Sequence, residues 1–321
     1  MLRSVLPGVA LPIREAMTMD GLHLRPARPD DRDGVFALCD SIFPRTDHVP
    51  QYWTSWLDNP TILPVVIEQE SQLIGFSVVD IRSGGGWLHS VRVSPLARNQ
   101  GVGARFFRWA MDESRQRGLA TLRYATSPAN GAMQHLGEKH GFRRLGLYRY
   151  VAAPPLPESG APGVEELDPA DLRVLEDFLH DSAAWRAGHR AHCRTWVWDP
   201  LDRPLLIFLL EQHWVYATRS RNRITGVALT WQGIEEGYRW FCLSRLDCLA
   251  SADAAMLGRF LRQRASQWGM EEGGESPLCG MILDEPETIE GLRQAGYECD
   301  PEEDLAVFEA SLSGDSGHAM R

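Results

Sequence analysis

The residues with the clearest chemical potential lie between Ser90 and Gly118. Ser90-Val91-Arg92-Val93 reads as a short strand, followed by Ser94-Pro95-Leu96-Ala97 and the turn Arg98-Asn99-Gln100-Gly101-Val102-Gly103-Ala104, then by an amphipathic helix that Gly118 stops. Backbone N–H groups are unpaired at the start of a helix, and glycines keep side chains out of their way. Such a turn suits phosphate oxygens, so the expected chemistry is the binding of a diphosphate-bearing ligand. A dinucleotide fingerprint needs a third glycine where Phe106 stands, and a phosphate-binding Walker loop needs Gly-Lys-Ser/Thr, yet the only lysine is Lys139.

The elements that must position this turn are legible from pattern. Gly21 to Ala27 alternates like a first strand, and Pro29-Asp30-Asp31 precedes apolar Val35, Phe36, Leu38 and Ile42 at helical spacing. Tyr52, Trp53, Trp56 and Leu57 continue a second helix. Pro64 to Glu68 and Leu73 to Arg82 are apolar runs joined by Gln69-Glu70-Ser71-Gln72, a hairpin pattern. Gly84-Gly85-Gly86 reads as a flexible turn before a strand from Trp87 to Val93. Phe106, Trp109, Ala110 and Glu113 share one helix face, and Leu119 to Ala125 is a further strand.

The run Arg-x-x-Gly-x-Gly after Val91-Arg92-Val93 resembles the acetyl-CoA motif of the GCN5-related N-acetyltransferases, the GNAT superfamily. Asn130 to Phe142 resembles the superfamily's late motif, in which an asparagine opens a helix and Gly-Phe closes it; Glu138, Lys139, Gly141 and Phe142 match, while Gly137 stands where a tyrosine is customary. The resemblance covers residues 21–152. It implies an α+β fold, a mixed and mostly antiparallel central sheet flanked by helices, and an acyl-CoA-dependent N-acyltransferase that moves acetyl from acetyl-CoA to a primary amine by direct attack. A non-catalytic acyl-CoA sensor or scaffold is the alternative.

The same resemblance distributes roles. Backbone groups of Val91 to Val93 would hold the pantetheine arm, amides of Asn99, Gln100, Gly101, Val102, Gly103 and Ala104 would take the diphosphate, and Arg98 would add charge. Asn130 would contact the pantetheine or cap its own helix. At the strand positions where the superfamily often carries a basic carboxylate, this chain has His89 and Ser90. Strand alternation puts these two on opposite faces, so one of them would look into the cleft. His140 lies one turn beyond the stripe Asn130, Met133, Gly137 and could stand in for the tyrosine as acid or cap the end of its helix. Asp80 and Glu68 are weaker candidates for the base.

Ala152 to Gly163 is rich in Pro and Gly and reads as a linker, after which the grammar repeats. Ile224-Thr225-Gly226 answers Ile74-Gly75, Ala254 to Trp268 is a helix, and Gly291 to Tyr297 echoes the closing motif. Its turn, Ala250-Ser251-Ala252-Asp253-Ala254-Ala255, has no glycine and carries a carboxylate where a diphosphate would lie. The organisation expected is a tail over 1–20, an acetyl-CoA-binding domain over 21–152, a linker over 153–163, a degenerate GNAT-like domain over 164–312 and a tail over 313–321.

With 321 residues the chain can build two cores. Residues 1–150 hold 18 Lys+Arg against 14 Asp+Glu, and the remainder 15 against 29. The basic half carries the cradle and suits an anionic co-substrate; the acidic half argues against nucleic acid as a partner. Six cysteines form no C-x-x-C pair and no metal-ligand spacing, so no metal and a reducing cytoplasm are expected. No apolar run approaches the roughly 20 residues a membrane helix needs. The expected partners are a small-molecule or peptide amine acceptor and no membrane, with the chain a monomer or homodimer.

Overall fold

The computed structural model describes residues 17–19, 21–82, 85–157, 162–194, 196–235, 238–271 and 278–312. Its elements begin with β1 (Met17–Met19), β2 (Leu22–Pro26), α1 (Arg32–Ile42), α2 (Val49–Asp58), β3 (Ile62–Gln69), β4 (Gln72–Arg82), β5 (Gly85–Val93), α3 (Val102–Gln116), β6 (Thr121–Thr126), α4 (Gly131–Lys139) and β7 (Arg143–Ala153). They continue with β8 (Val164–Glu166), α5 (Leu172–Asp181), α6 (Ala183–Arg186), β9 (Ala191–Arg194), β10 (Val197–Pro200), α7 (Arg203–Glu211), β11 (Val215–Ser220) and β12 (Arg223–Glu235). The last are β13 (Tyr238–Cys248), α8 (Ser251–Glu271), β14 (Leu278–Leu283), α9 (Pro286–Gln294) and β15 (Glu298–Ser311).

Two compact units result. The first takes Met1–Ala125, Asn130–Arg144 and Phe308–Arg321, and the second takes Thr126–Ala129 and Leu145–Val307. In the first, strands run in the order β1-β2-β3-β4-β5-β6. All neighbours are antiparallel except β5 and β6. In the second, the order β7-β14-β13-β12-β11-β8 is antiparallel except for β13 and β14. A separate hairpin, β9-β10, belongs to this unit. Each unit is thus the mixed, mostly antiparallel α+β sheet expected.

The local reasons are ordinary ones. The β3-β4 hairpin closes on Glu70 and Ser71, both at positive φ (49° and 65°), the paired left-handed residues of a tight turn that matches strand twist. Inside it, Val66, Phe76 and Val78 pack against Val35, Leu38, Trp53 and Trp56 of α1 and α2. Arg25 at the end of β2 reaches Asp31 at 2.7 Å and Glu68 at 2.5 Å. On α3, Val102 and Phe106 press onto Gly75, where a Cβ would meet them at 3.0 and 2.9 Å. Gly75 is therefore a close-approach glycine.

Three expectations change. Met17–Met19, assigned to a tail, pair with β2 as β1. Residues 1–16, 20 and 313–321 of the expected tails lie outside the described residues. Gly85 and Gly86 are not a turn: they open β5, pairing with Arg82 and Ile81 on one side and Thr121 and Leu122 on the other. A Cβ at Gly85 would meet Thr121 Oγ1 at 2.7 Å and one at Gly86 would meet Leu122 Cδ1 at 2.9 Å, so close strand packing selects glycine there. Gly84 is outside the described residues. The expected boundary at 152 also differs from the compact units, because most of β7 counts with the second and Phe308–Arg321 with the first.

Candidate active site

Parallel strands β5 and β6 are paired through Gly85↔Thr121, Gly86↔Leu122 and Trp87↔Arg123. Among the described residues that ladder stops there, so from Leu88 onward β5 has a strand partner on the β4 side alone. Val91 and Val93, expected to receive the pantetheine arm, lie on this length, which has no partner on the β6 side among the described residues. β4 pairs with it through Phe76↔Arg92 and Val78↔His89, which leaves one extra residue in β5. That bulge is centred on Ser90, whose φ of 53° is left-handed. A serine held there is an unusual backbone state of the kind that surrounding structure must enforce.

The bulge overturns the expectation from alternation. His89 and Ser90 do not face opposite ways, because Ser90 Oγ lies 3.0 Å from His89 Nδ1. The same hydroxyl lies 3.0 Å from Nε2 of His48, a residue the sequence reading missed. His48 stands just before α2, and its Nδ1 is 4.0 Å from Asp47 Oδ1. The signal available in the sequence was only that Asp47 and His48 precede an aromatic helix; nothing ties them to Ser90 before the chain folds.

Charge and burial differ along this cluster. Burial tends to raise the Asp47 carboxyl, but bidentate bonds from Arg92 at 2.6 and 3.1 Å and the Val49 N–H outweigh it and hold its pKa below the usual range. Arg92 also lies over the Phe43 ring at 4.8 Å. His89 retains some solvent contact, but its ring packs edge-on against Trp56 at 5.2 Å. Burial, followed by the nearby His48, Arg82 and Arg92, pushes its pKa down to about 3. A neutral His89 is the consequence at any ordinary pH. Half of the His48 side chain meets solvent, while Tyr52 and Trp56 flank its ring at 6.2 and 6.0 Å. Burial and Arg92 lower its pKa too, less severely, against the pull of Asp47.

The glycine turn sits where expected, beyond the open end of β5. Asn99 (φ 61°) and Gly101 (φ 82°) are left-handed, and Gly101 caps α3. Arg98, Asn99, Gln100 and Gly101 are exposed, and space beyond Gly101 is open, with no atom within 4 Å of where a Cβ would be. Gln100 donates to the Leu96 carbonyl at 2.9 Å, tying the turn down. Gly103 serves otherwise. A Cβ on it would meet Leu136 Cδ2 at 3.0 Å, so it permits α3 to approach α4. Val102 is buried and Ala104 half-buried; of these residues only their amides could serve a ligand.

The late motif resolves more sharply. Asn130 accepts from the Met133 N–H at 3.2 Å and so caps α4, the capping alternative. Asn130→Ala is expected to cost about 1 kcal/mol of stability, read by chemical denaturation. His140 ends α4 with Nδ1 2.8 Å from the Leu136 carbonyl and its ring against Phe107. The structure thus engages His140 with its own helix and does not bring it to Ser90 and His89. Gly137 has a steric reason: a Cβ there would lie 1.9 Å from the hydroxyl oxygen of Tyr124. Tyr124, from β6, fills the space beside Gly137 and donates to the Met133 carbonyl at 3.1 Å. Its phenol is 1% exposed, stacks on Phe308, and has its pKa raised by burial, so it holds its proton.

The turn Ala250 to Ala255, read in the sequence as a counterpart of the cradle, is built differently. Asp253 Oδ1 accepts from Thr218 Oγ1 at 2.9 Å and Thr225 Oγ1 at 2.6 Å, at the start of α8. The carboxylate occupies this helix start and is fixed there by two hydroxyls. Between β7, β9, β13 and β14, a cavity of about 20 Å3 is lined by Tyr150, Cys193, Cys242 and Cys279 among others. That is room for about one water molecule and not for a pantetheine arm. Among the described residues no group of three or more His, Cys, Asp or Glu is placed to hold a metal ion. No helix among them is long and apolar enough to cross a membrane.

Residues 33–142 match the model of the acetyltransferase (GNAT) family. Over that segment, about a third of the chain, the protein is similar to the GNAT family, and the segment holds the parted strands, the glycine turn and the late motif. A solved GCN5-related N-acetyltransferase from Sphaerobacter thermophilus shares the fold over 92% of this chain and 97% of its own, with a TM-score of 0.57 and 15% identity. Histidine N-acetyltransferases from Scomber australasicus and Oreochromis niloticus are each 25% identical over 100 residues, 30% of this chain and 30% of theirs. The chain thus spans about a third of the length of these curated relatives.

Proposed function

We propose that the first unit binds acetyl-CoA and transfers its acetyl group to a primary amine, the amine nitrogen attacking the thioester carbonyl directly. The observation that carries this reading is the parting of β5 from β6 after Trp87↔Arg123, next to the exposed turn Arg98–Gly101. Backbone of Val91 and Val93, which has no β6 partner among the described residues, offers the pantetheine arm the hydrogen bonds of an added strand. Amides from Asn99 to Ala104 at the start of α3 suit the diphosphate, with Arg98 free to add charge from the surface. Asn130, engaged as a cap, supports α4 beside this site.

The second unit, in this reading, holds no second co-substrate, since the Asp253 carboxylate stands at the corresponding helix start. A diphosphate there would meet a like charge. The domain roles proposed are therefore an acetyl-CoA-binding first unit and a substrate-shaping or structural second one, in a cytoplasmic enzyme.

Calorimetric titration with acetyl-CoA, then thiol release on a panel of amines that begins with L-histidine, tests the reading. The name of the curated relatives motivates that first acceptor. Binding followed by release of free thiol with at least one amine is expected. Tight binding with no turnover on any amine would favour an acyl-CoA sensor, a reading motivated by Gly137 in the place of the customary tyrosine.

A further inference from the structure

Direct attack requires an acceptor that has lost its ammonium proton, and a route for that proton. His140 is occupied with Leu136, and the Tyr124 phenol is buried and bonded to Met133. Neither lies on the bulge of β5. The bulge instead gathers two imidazoles about one hydroxyl, His48 Nε2 and His89 Nδ1 each 3.0 Å from Ser90 Oγ.

We propose that Ser90 and His48 form the proton exit for the acceptor ammonium, with His89 as the positioning residue that fixes the Ser90 hydroxyl. The inference rests on the acetyl-transfer reading above. Directions follow from the neighbours. Asp47 Oδ1, 4.0 Å from His48 Nδ1, favours the hydrogen on that nitrogen and leaves Nε2 bare to accept. A serine hydroxyl has one hydrogen, so Ser90 donates it to His48 and accepts from His89 Nδ1–H.

In the proton step the ammonium N–H bond breaks as an O–H bond forms on Ser90 Oγ. The original Ser90 O–H breaks as a bond to His48 Nε2 forms, and the neutral amine is left to attack. His48, now an imidazolium with a hydrogen on each nitrogen, loses one proton to water; exchange with water at the two nitrogens restores the Nδ1–H form, and rotation of the Ser90 hydroxyl back toward Nε2 returns the trio to its starting state. His48 is the one member of the trio with half of its side chain in solvent, so it is the outlet; His89, largely enclosed, does not charge. The groups facing this path are Asp47 and Arg92 beside His48, and Arg82 and Arg92 near His89, with Cys39 behind the Asp47–Arg92 pair. The left-handed φ of Ser90 serves the same end, since a regular strand would turn its hydroxyl away from His89.

The test compares wild type, His48→Ala and Ser90→Gly for kcat/KM against pH with the amine found above. Glycine suits the left-handed backbone at 90 and removes only the hydroxymethyl group. In wild type kcat/KM should rise with pH through a limb below about 6.5, the ordinary histidine value, because His48 must be neutral to accept. His48→Ala should lower kcat/KM about 100-fold, flatten that limb and leave the KM for acetyl-CoA unchanged. Added imidazole should restore His48→Ala, which has an open outer position, and should not restore Ser90→Gly. Nitrogen-15 NMR of the free protein should show the hydrogen on Nδ1 of both His48 and His89.

An active wild type with an unchanged His48→Ala profile overturns the relay alone, as does a hydrogen on His48 Nε2. A wild type inactive with every amine overturns the acetyl-transfer reading, and the relay with it.

Discussion

Gly101→Glu should weaken acetyl-CoA binding at least 100-fold. The substitution places a carboxylate where the space is now open, in the turn proposed to receive the diphosphate. Two unit charges about 4 Å apart near a protein surface repel by about 4 kcal/mol, more than the roughly 2.7 kcal/mol that a hundredfold loss represents. The φ of 82° adds a strain of about 1–2 kcal/mol for any residue with a Cβ, charged on the fold as well as the site. Gly101→Ala separates the two contributions, carrying the strain and not the charge. It should unfold at lower denaturant than wild type and still bind acetyl-CoA, within about tenfold. Equal affinity of the glutamate variant and wild type in a calorimetric titration would sink the placement of the diphosphate.

Gly137→Ala should destabilise the protein by roughly 2–3 kcal/mol, the cost of forcing an extra group into a filled space. The new Cβ would lie 1.9 Å from the Tyr124 hydroxyl oxygen, 2.7 Å from Cζ and 2.9 Å from Cε1, and ring atoms stacked on Phe308 and wedged against Phe107 and Phe142 have little room to withdraw. Tyr124→Phe alone should cost about 1 kcal/mol through the lost bond to the Met133 carbonyl. Together the two changes should cost less than their sum, because removing the hydroxyl removes the worst contact. Denaturant unfolding of the four proteins reads this coupling. Wild-type stability in Gly137→Ala would show that the Tyr124 phenol does not fill this space, and the missing tyrosine of the late motif would lose its steric account.

The sequence carried the strand-turn-helix at Val91 to Gly118 because each part has a local cause: β-branched residues, two glycines in a turn, and an apolar helix face. The α4 cap at Asn130, the strand at Ile224 to Leu229 and the helix at Ala254 to Trp268 were legible for the same reason. What escaped reading depends on pairing across the sheet. A bulge at Ser90 is set by register with Phe76 and Val78, so alternation pointed His89 and Ser90 apart when the folded chain brings them together. His48 is 42 positions from Ser90, and no periodicity links them. Gly137 looked like a lost catalytic tyrosine; a second tyrosine from β6 in the same space is visible only once the chain is folded. The β9-β10 hairpin and the division of β15 between units had no local signature either.

The central claim is one acetyl-CoA per chain, bound at the parted strands and glycine turn of the first unit. A calorimetric titration of the full-length protein with acetyl-CoA measures it directly, run beside Gly101→Glu and Asp253→Ala. One site per chain, abolished by Gly101→Glu and retained in Asp253→Ala, is the predicted result. Two sites per chain, or a single site that survives Gly101→Glu and is lost in Asp253→Ala, would contradict it.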